Sequence, residues 1–586
     1  MIRSPSLRTA AGRGVPFSPS PVLAVKLPAW RSKLVMFILF VAFATLAGRA
    51  FWLQALTTDF LQKKGASRYA RTLELPATRG KILDRNGEVM ASSLPVKAIW
   101  VEPDDFDASP EKLRALAQLL ELSPADLKKK LSSASGFVYL KRQIELDVVD
   151  KIVALEIPGI HTREEYKRSY PAGAVSAHLL GFTNVEDIGQ EGIELAQQSS
   201  LAGITGSRRV IKDGRGRVVE DNGYIREPQD GRELTLSIDS KIQYIAFSHL
   251  RDAVEMHKAK AGAIVVLDVK TGEVLALANM PTYNPNSRQG LTGAQLRNRV
   301  MTDTFEPGST MKPFTIALAM DRGLINPSTI IETPAKISIG PSTIGDSHAH
   351  SPSMSVTQII EKSSNVGTVR IAQKMEPRQM WDNFTAVGFG QQPRFGFPGA
   401  VAGRMRPYKS WRPIEQATMS YGHGISVSLI QLARAYMIFA RNGEIVPLSF
   451  QKLTQPPVPQ RVISEKTAIE MREMMEKVVG PGGTAPLAQV RGYRVAGKTG
   501  TAHKLEGGHY VKKYVGSFVG LAPASDPRII IAVMIDEPSN GKYFGGQVAA
   551  PVFSNVAASA LRSLNISPDA SITNVIMPAE PVMESL

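Results

Sequence analysis

Three short segments of this chain could together make and break an acyl bond. In Glu306-Pro307-Gly308-Ser309-Thr310-Met311-Lys312 a hydroxyl and an amine stand three residues apart. On a helix that spacing sets both on one face, close enough for the amine to take the hydroxyl proton. The Pro-Gly break before Ser309 and the apolar stretch after it predict a helix start, whose amide dipoles favour a developing oxyanion. Pro313 lacks an N–H, so the hydrogen bonds of that first turn must be irregular. Ser363-Ser364-Asn365 supplies a hydroxyl that can relay a proton and an amide that can hold a peptide carbonyl. Lys498-Thr499-Gly500-Thr501, following Val495-Ala496-Gly497, reads as an edge strand. Gly500 there would admit a substrate backbone, while Lys498, Thr499 and Thr501 offer donors to a carboxylate. Simple strand alternation points Lys498 and Thr499 to opposite faces, so joint use of both requires local twisting.

Each pattern alone is weak. Chance supplies roughly two or three Ser-x-x-Lys matches in a chain of this size, and Ser449…Lys452 and Ser539…Lys542 are such matches. Neither has a helix to align the pair. Lys270-Thr271-Gly272 falls in a hairpin turn, and Ser563-Leu564-Asn565 repeats the Ser-x-Asn letters. Only 309, 363 and 498 combine the order Ser-x-x-Lys, Ser-x-Asn, Lys-Thr-Gly with suitable contexts. Asp346 with His348-Ala349-His350 has the letters of a metal site, but no further ligand stands at a typical spacing, so an ordinary loop is the reading. His423 is read as structural beside the cleft, and Glu194 as a salt-bridge residue. No metal and no cofactor are expected.

The elements that position these residues follow from composition and patterning. A length of 586 residues leaves room for two or three domains plus tails. With 43% hydrophobic and 21% charged residues, wholesale disorder is excluded. The absence of cysteine excludes disulfides, thiol catalysis and cysteine-based metal sites. A formal net charge of +16 points to an anionic partner. Residues 1–33 contain Arg3, Arg8, Arg13, Lys26, Arg31 and Lys33 without one acidic residue, and read as a disordered cytoplasmic tail. Residues 34–56 are long enough to span a membrane if Arg49 snorkels, with Trp30 and Trp52 as interface anchors. Because basic segments stay inside, nearly everything after residue 56 is expected outside the cytoplasm, which removes nucleic acid as a partner.

Residues 57–237 read as a non-catalytic, dimerisation-like pedestal. Its landmarks are an Asn86-Gly87 turn between strands and helices starting at Pro110 and Pro124. Residues 238–565 begin with a helix and a strand–turn–strand over 262–278, and end with strands near 515–521 and 529–535, with helices between. That pattern predicts a single α+β domain on an antiparallel sheet. Residues 566–586 are expected to be a disordered tail.

The triple Ser309-x-x-Lys312, Ser363-x-Asn365, Lys498-Thr499-Gly500 resembles the penicillin-recognising serine acyltransferases, whose known signature it is. Arg79-Gly80-Lys81-Ile82-Leu83-Asp84-Arg85, Arg168-Ser169-Tyr170-Pro171, Gly192-Ile193-Glu194 and Phe305 to Pro313 narrow the resemblance to class B penicillin-binding proteins. Tyr421-Gly422-His423-Gly424, Gln431-Leu432-Ala433 and Gly546 to Phe553 are similar to the division-specific type. The resemblance runs over roughly residues 30 to 560. It implies a penicillin-recognising serine transferase fold on an elongated pedestal behind one transmembrane helix. It also implies a single-pass inner-membrane protein with a periplasmic catalytic domain that cross-links peptidoglycan at the septum.

Carried over by residue, Ser309 is the nucleophile, Lys312 its base and Ser363 a proton relay. Asn365, Lys498, Thr499, Gly500 and Thr501 bind substrate, with the Ser309 and Thr501 N–H groups as oxyanion hole. Lys498, a second cation, would favour neutral Lys312. The implied partners are stem peptides ending in D-Ala-D-Ala, β-lactams as covalent inhibitors, a polytopic membrane glycan polymerase and other division proteins. An elongation-specific sister enzyme, a hydrolase using water as acceptor and a silent penicillin-binding scaffold are the alternatives. The anchor and long platform argue against the hydrolase, and the intact triple argues against the scaffold.

Overall fold

A computed structural model describes residues 28–56, 70–132, 136–212, 218–346 and 351–577. The chain forms two compact units, residues 1–75 with 206–227 and residues 76–205 with 228–586. The stretch expected as one pedestal, 57–237, is therefore shared between them.

The first unit contains the apolar helix. It begins at Ala29 rather than Leu34 and runs to Phe51, closing in a π-turn over Trp52–Leu56. Residues 29–33, expected in the basic tail, are its first turn; residues 1–27 lie outside the described residues. The apolar helical stretch Ala29–Gln54 has 26 residues. At 1.5 Å per residue it is about 39 Å long, enough for the ~30 Å of bilayer hydrocarbon. The Thr45 hydroxyl donates to the Val41 carbonyl (2.7 Å), so this polar group is satisfied inside the helix. Strands Ala70–Leu75, Gly206–Lys212 and Val218–Arg226 form an antiparallel sheet in that order.

In the second unit, strand Val89–Val101 pairs antiparallel with Val138–Ile144 and with Ile160–Ser169. Helices Pro110–Leu119, Pro124–Ser132 and Leu146–Val153 share a core with Ile99, Val101 and Leu140. The two proline-started helices form where the sequence places them. The Ser109 hydroxyl accepts from the Lys112 N–H and the Ser123 hydroxyl from the Asp126 N–H, satisfying first-turn donors. Asn86-Gly87 makes the expected turn, with Gly87 at φ +90°.

The base of this region is held by charge. Arg79 Nε and Arg168 Nε donate to the two oxygens of Glu194 at 2.6 and 2.7 Å, with all three side chains buried. Further donors of the same arginines reach the Asp187, Glu194 and Gly80 carbonyls. Glu194 is thus the salt-bridge residue expected of it.

The remainder of the second unit is built on helix α1 (Ser240–Met256), strands β1 (Ala261–Asp268) and β2 (Val274–Met280), helices α2 (Lys312–Asp321), α3 (Val356–Lys362), α4 (Asn365–Ala372) and α5 (Leu429–Ala435), strands β3 (Ala496–Glu506), β4 (His509–Ala522) and β5 (Ile529–Asp536), and helix α6 (Ala550–Ser563). The sheet order is β2-β1-β5-β4-β3, every pair antiparallel. All eight residues of β1 and of β5 are buried, so both faces are covered. That is why these strands are continuous apolar runs and do not alternate. Helices α1 and α6 pack on each other and on the sheet, while α5 packs on β1 and β5.

Residues 566–577 depart from the expected disorder. The Tyr493 hydroxyl donates to the Ile566 carbonyl (2.7 Å), Asp569 accepts from the Arg494 N–H (2.7 Å), and Asn574 bonds the 490–493 turn. Polar side chains separated by about 80 positions provide this docking, and no local pattern announces it. Residues 578–586 lie outside the described residues.

Glu194→Ala strands two buried guanidinium groups and is expected to cost about 3–5 kcal/mol. Equilibrium urea unfolding of the two chains measures it; a loss below 1 kcal/mol would show that the triad contributes little.

Candidate active site

The structure brings all three motifs together. Ser309 lies in a 3₁₀ turn, Gly308–Met311, and Lys312 opens α2 with Pro313 next to it. The expected α-helical first turn is therefore tighter than predicted, as the missing Pro313 N–H requires. The change improves the alignment, because residues three apart eclipse one another in a 3₁₀ turn. Ser309 is only 4% exposed and Lys312 is fully buried.

Ser363 occupies the joint between α3 and α4 in the left-handed region, φ +62° and ψ 41°. A serine tolerates this conformation only when its surroundings enforce it. Those surroundings are visible. Ser364 caps α4 by accepting from the Gly367 N–H (2.9 Å) and donates to Asp346 (2.6 Å). The second oxygen of Asp346 accepts from the Asn365 and Val366 N–H groups. Asp346 is thus the anchor of the Ser363-Ser364-Asn365 segment, and His348 and His350 lie outside the described residues.

Two amines converge on the Ser363 side chain. Lys312 Nζ donates to Ser363 Oγ at 3.1 Å and also to the Ser363 carbonyl; Lys498 Nζ donates to the same Oγ at 2.9 Å. Both lysines are fully buried. Asn365, 3% exposed, reaches the Gly345 carbonyl at 3.5 Å.

Strand β3 supplies the opposite wall and is the sheet edge, as expected. The alternation conflict is resolved by reach. Lys498 Nζ lies 3.4 Å from Thr499 Oγ1, which also shares a 2.9 Å hydrogen bond with Thr484. Thr501 Oγ1 accepts from the Gly545 N–H at 2.9 Å. A Cβ on Gly500 would meet Ser517 Oγ at 2.6 Å, the Pro307 carbonyl at 2.7 Å and Thr310 Cγ2 at 2.9 Å. Its missing side chain lets the Ser309 turn seat against β3.

Sequence reasoning missed Thr484, Asp346 as an anchor, and Glu306. The Glu306 carboxylate accepts from the Gly424 N–H (2.8 Å) and the Tyr510 hydroxyl (3.1 Å), and burial raises its pKa. Its place three residues before Ser309 was the one local signal. Gly422 lies against Gly308, whose N–H donates to the Gly422 carbonyl (3.2 Å). His423 therefore stands beside the site, its ring 5.1 Å from that of Tyr421 and 6.0 Å from that of Tyr510. Desolvation, then repulsion from Lys312 and His503, lowers its pKa from 6.5 to about 4.

The arrangement can take a proton from a hydroxyl, relay it through a second hydroxyl and hold an anion by a fixed cation. Two outcomes follow. Gly500→Ala pushes the Ser309 turn off β3 and is expected to slow acylation by benzylpenicillin about 100-fold, the effect of a displacement of about 1 Å; stopped-flow acylation rates check it. For His423, the unfolded chain binds a proton between pH 6.5 and 4 that the folded chain refuses. Stability therefore falls as pH drops through that window. His423→Asn should flatten the fall by up to about 3 kcal/mol and leave the acylation profile above pH 5 unmoved; melting and acylation measured against pH test both.

Comparison with known proteins agrees with this geometry. Residues 262–558 match the family model of the penicillin binding protein transpeptidase domain, and residues 74–236 that of the penicillin-binding protein dimerisation domain. The chain is 42% identical to the probable peptidoglycan D,D-transpeptidase PenA of Neisseria gonorrhoeae, over 93% of this chain and 94% of that one. It is 41% identical to the peptidoglycan D,D-transpeptidase FtsI of Escherichia coli, over 93% of each. Among solved structures, the transpeptidase domain of Burkholderia pseudomallei penicillin-binding protein 3 is 51% identical with a TM-score of 0.53, covering 57% of this chain and 98% of that one. A peptidoglycan synthetase from Bifidobacterium adolescentis, 26% identical, aligns with a TM-score of 0.68 over 87% of this chain and 99% of that one. With both domains matched and such relatives aligned along nearly its whole length, this chain belongs to the family of penicillin-binding protein transpeptidases.

Proposed function

We propose that the chain is a peptidoglycan D,D-transpeptidase of the division septum, working through a Ser309 acyl-enzyme. The observation that carries this reading is the convergence of Lys312 and Lys498 on the Ser363 hydroxyl beside the Ser309 turn. Ser309 Oγ attacks the carbonyl of the penultimate D-Ala, and Lys312, as the neutral amine, takes the hydroxyl proton. The Ser309 and Thr501 N–H groups receive the oxyanion. The C–N bond then breaks, and terminal D-Ala leaves as an amine that gains its proton through Ser363. Lys498, Thr499 and Thr501 hold the terminal carboxylate, and Asn365 holds the peptide carbonyl before the bond.

An amine of a second stem peptide next attacks the ester, loses a proton to the same relay and frees Ser309. A β-lactam enters as a mimic of D-Ala-D-Ala and stays on the serine. Assignment to division rests on the Tyr421-Gly422-His423-Gly424, Gln431-Leu432-Ala433 and Gly546 to Phe553 segments, together with the similarity to FtsI. The helix Ala29–Phe51 serves as a single-pass anchor with the basic N-terminus in the cytoplasm and the catalytic domain in the periplasm. Glycan strands come from a separate polytopic polymerase that contacts the anchor and pedestal.

Intact-mass spectrometry of the full-length chain in detergent, with and without benzylpenicillin and beside Ser309→Ala, tests the chemistry. A stable adduct of one penicillin, absent in the variant, is expected. A folded chain without adduct would sink the mechanism in favour of a scaffold, and an adduct lost within seconds would make it a hydrolase.

A further inference from the structure

Away from Ser309, a cavity of about 260 Å³ lies between segment 387–395, helix α5 and residues 447–448. Its polar lining comes from Arg434, Arg394, Gln391, Gln392 and Gln431, and no carboxylate borders it. Arg434 Nε donates to the Val446 carbonyl at 3.1 Å, and that is the one hydrogen bond of its guanidinium among the described residues. No acid pairs with it there. Its Nη1 lies directly over Gly388, where an added Cβ would come within 2.9 Å. Burial lowers the Arg434 pKa, and no neighbouring acid opposes that shift. Arg394, exposed at the rim, also has no ion pair among the described residues.

Arg434 is half-buried, and its Nη groups have no protein partner among the described residues. The cavity beside it leaves room for an anion. Its walls are set in advance. The Gln431 amide donates to the Gly388, Gln391 and Ala402 carbonyls at 3.1, 3.0 and 2.9 Å, tying the 388–402 loop to α5. A planar guanidinium with free Nη donors matches a carboxylate or phosphate edge.

We infer that this cavity is a binding site for a small oxyanion, a carboxylate or a phosphate, gripped by the Arg434 Nη groups and covered by Arg394. The site is linked to the catalytic region by chain. Residues 427–428, which lead into α5, pair with Thr304 and Phe305, and these run into the Ser309 turn.

The test is thermal unfolding of the full-length chain in detergent at constant ionic strength, with chloride replaced stepwise by phosphate or by acetate. A saturable rise in melting temperature is expected, following the logarithm of ligand over Kd. A rise with phosphate alone identifies a phosphate ligand; a rise with acetate identifies a carboxylate. Arg434→Met should abolish the rise. Arg394→Ala, at the exposed rim, should weaken the apparent Kd about tenfold. No saturable rise, or an equal rise in Arg434→Met, would reduce the effect to general salting and overturn the site. If Arg434→Met does not fold, an unchanged Kd in Arg394→Ala overturns it instead.

Discussion

Two buried lysine amines share one hydroxyl oxygen, and the rest of the catalytic region is arranged to make that possible. Water would dissolve such a cluster, so Lys312, Lys498 and Ser363 are all fully buried. Both Nζ groups donate to the Ser363 hydroxyl oxygen, which has two lone pairs to accept them. Each partner comes from a different element: α2, the α3–α4 joint and the edge strand β3. Bringing them together requires a left-handed serine, an aspartate across the α4 start and a glycine where β3 meets the nucleophile turn.

These supports differ in how they resist disturbance. The α4 start is fixed by charge-assisted hydrogen bonds that Asp346 accepts, which are directional and local. The nucleophile turn is fixed by contact, with Gly422 on one side and Gly500 on the other, both lacking a side chain where backbone approaches backbone. The buried Arg79–Glu194–Arg168 triad uses a third means. It joins segments more than a hundred positions apart with ion pairs whose separate members would be costly to bury.

Much of this was legible in the sequence. Ser309, Lys312, Ser363, Asn365 and Lys498 to Thr501 stand where motif order placed them, and the hairpin over 262–278 was visible from its turn and flanking apolar runs. Proline-started helices at 110 and 124 announced themselves through local capping chemistry. What was not legible depends on residues far apart. Asp346 read as part of an ordinary loop because its partners, Ser364 to Val366, lie about twenty positions away. The contact of Gly500 with the Ser309 turn was hidden because that turn belongs to a segment about two hundred positions earlier. The docked stretch 566–577 carries no apolar period, and the polar groups of 489–494, together with Ser525 on Asp569 and Ile566 against the core, give it a place.

The sheet order has a consequence for biogenesis. Strand β1 pairs with β5, so Asp268 sits opposite Ile529, while the catalytic strand β3 is joined to β1 only through β4 and β5. The central pair cannot form until nearly the whole chain has been synthesised. A chain that emerges N-terminus first can pair β1 with β2 at once, but must carry the other edge of β1 open for about 260 residues of growth, the slow regime of non-local pairing. Folding of this region is thereby tied to the arrival of its last strand, and the Ser309 turn has a completed sheet behind it only when synthesis of the chain is almost finished.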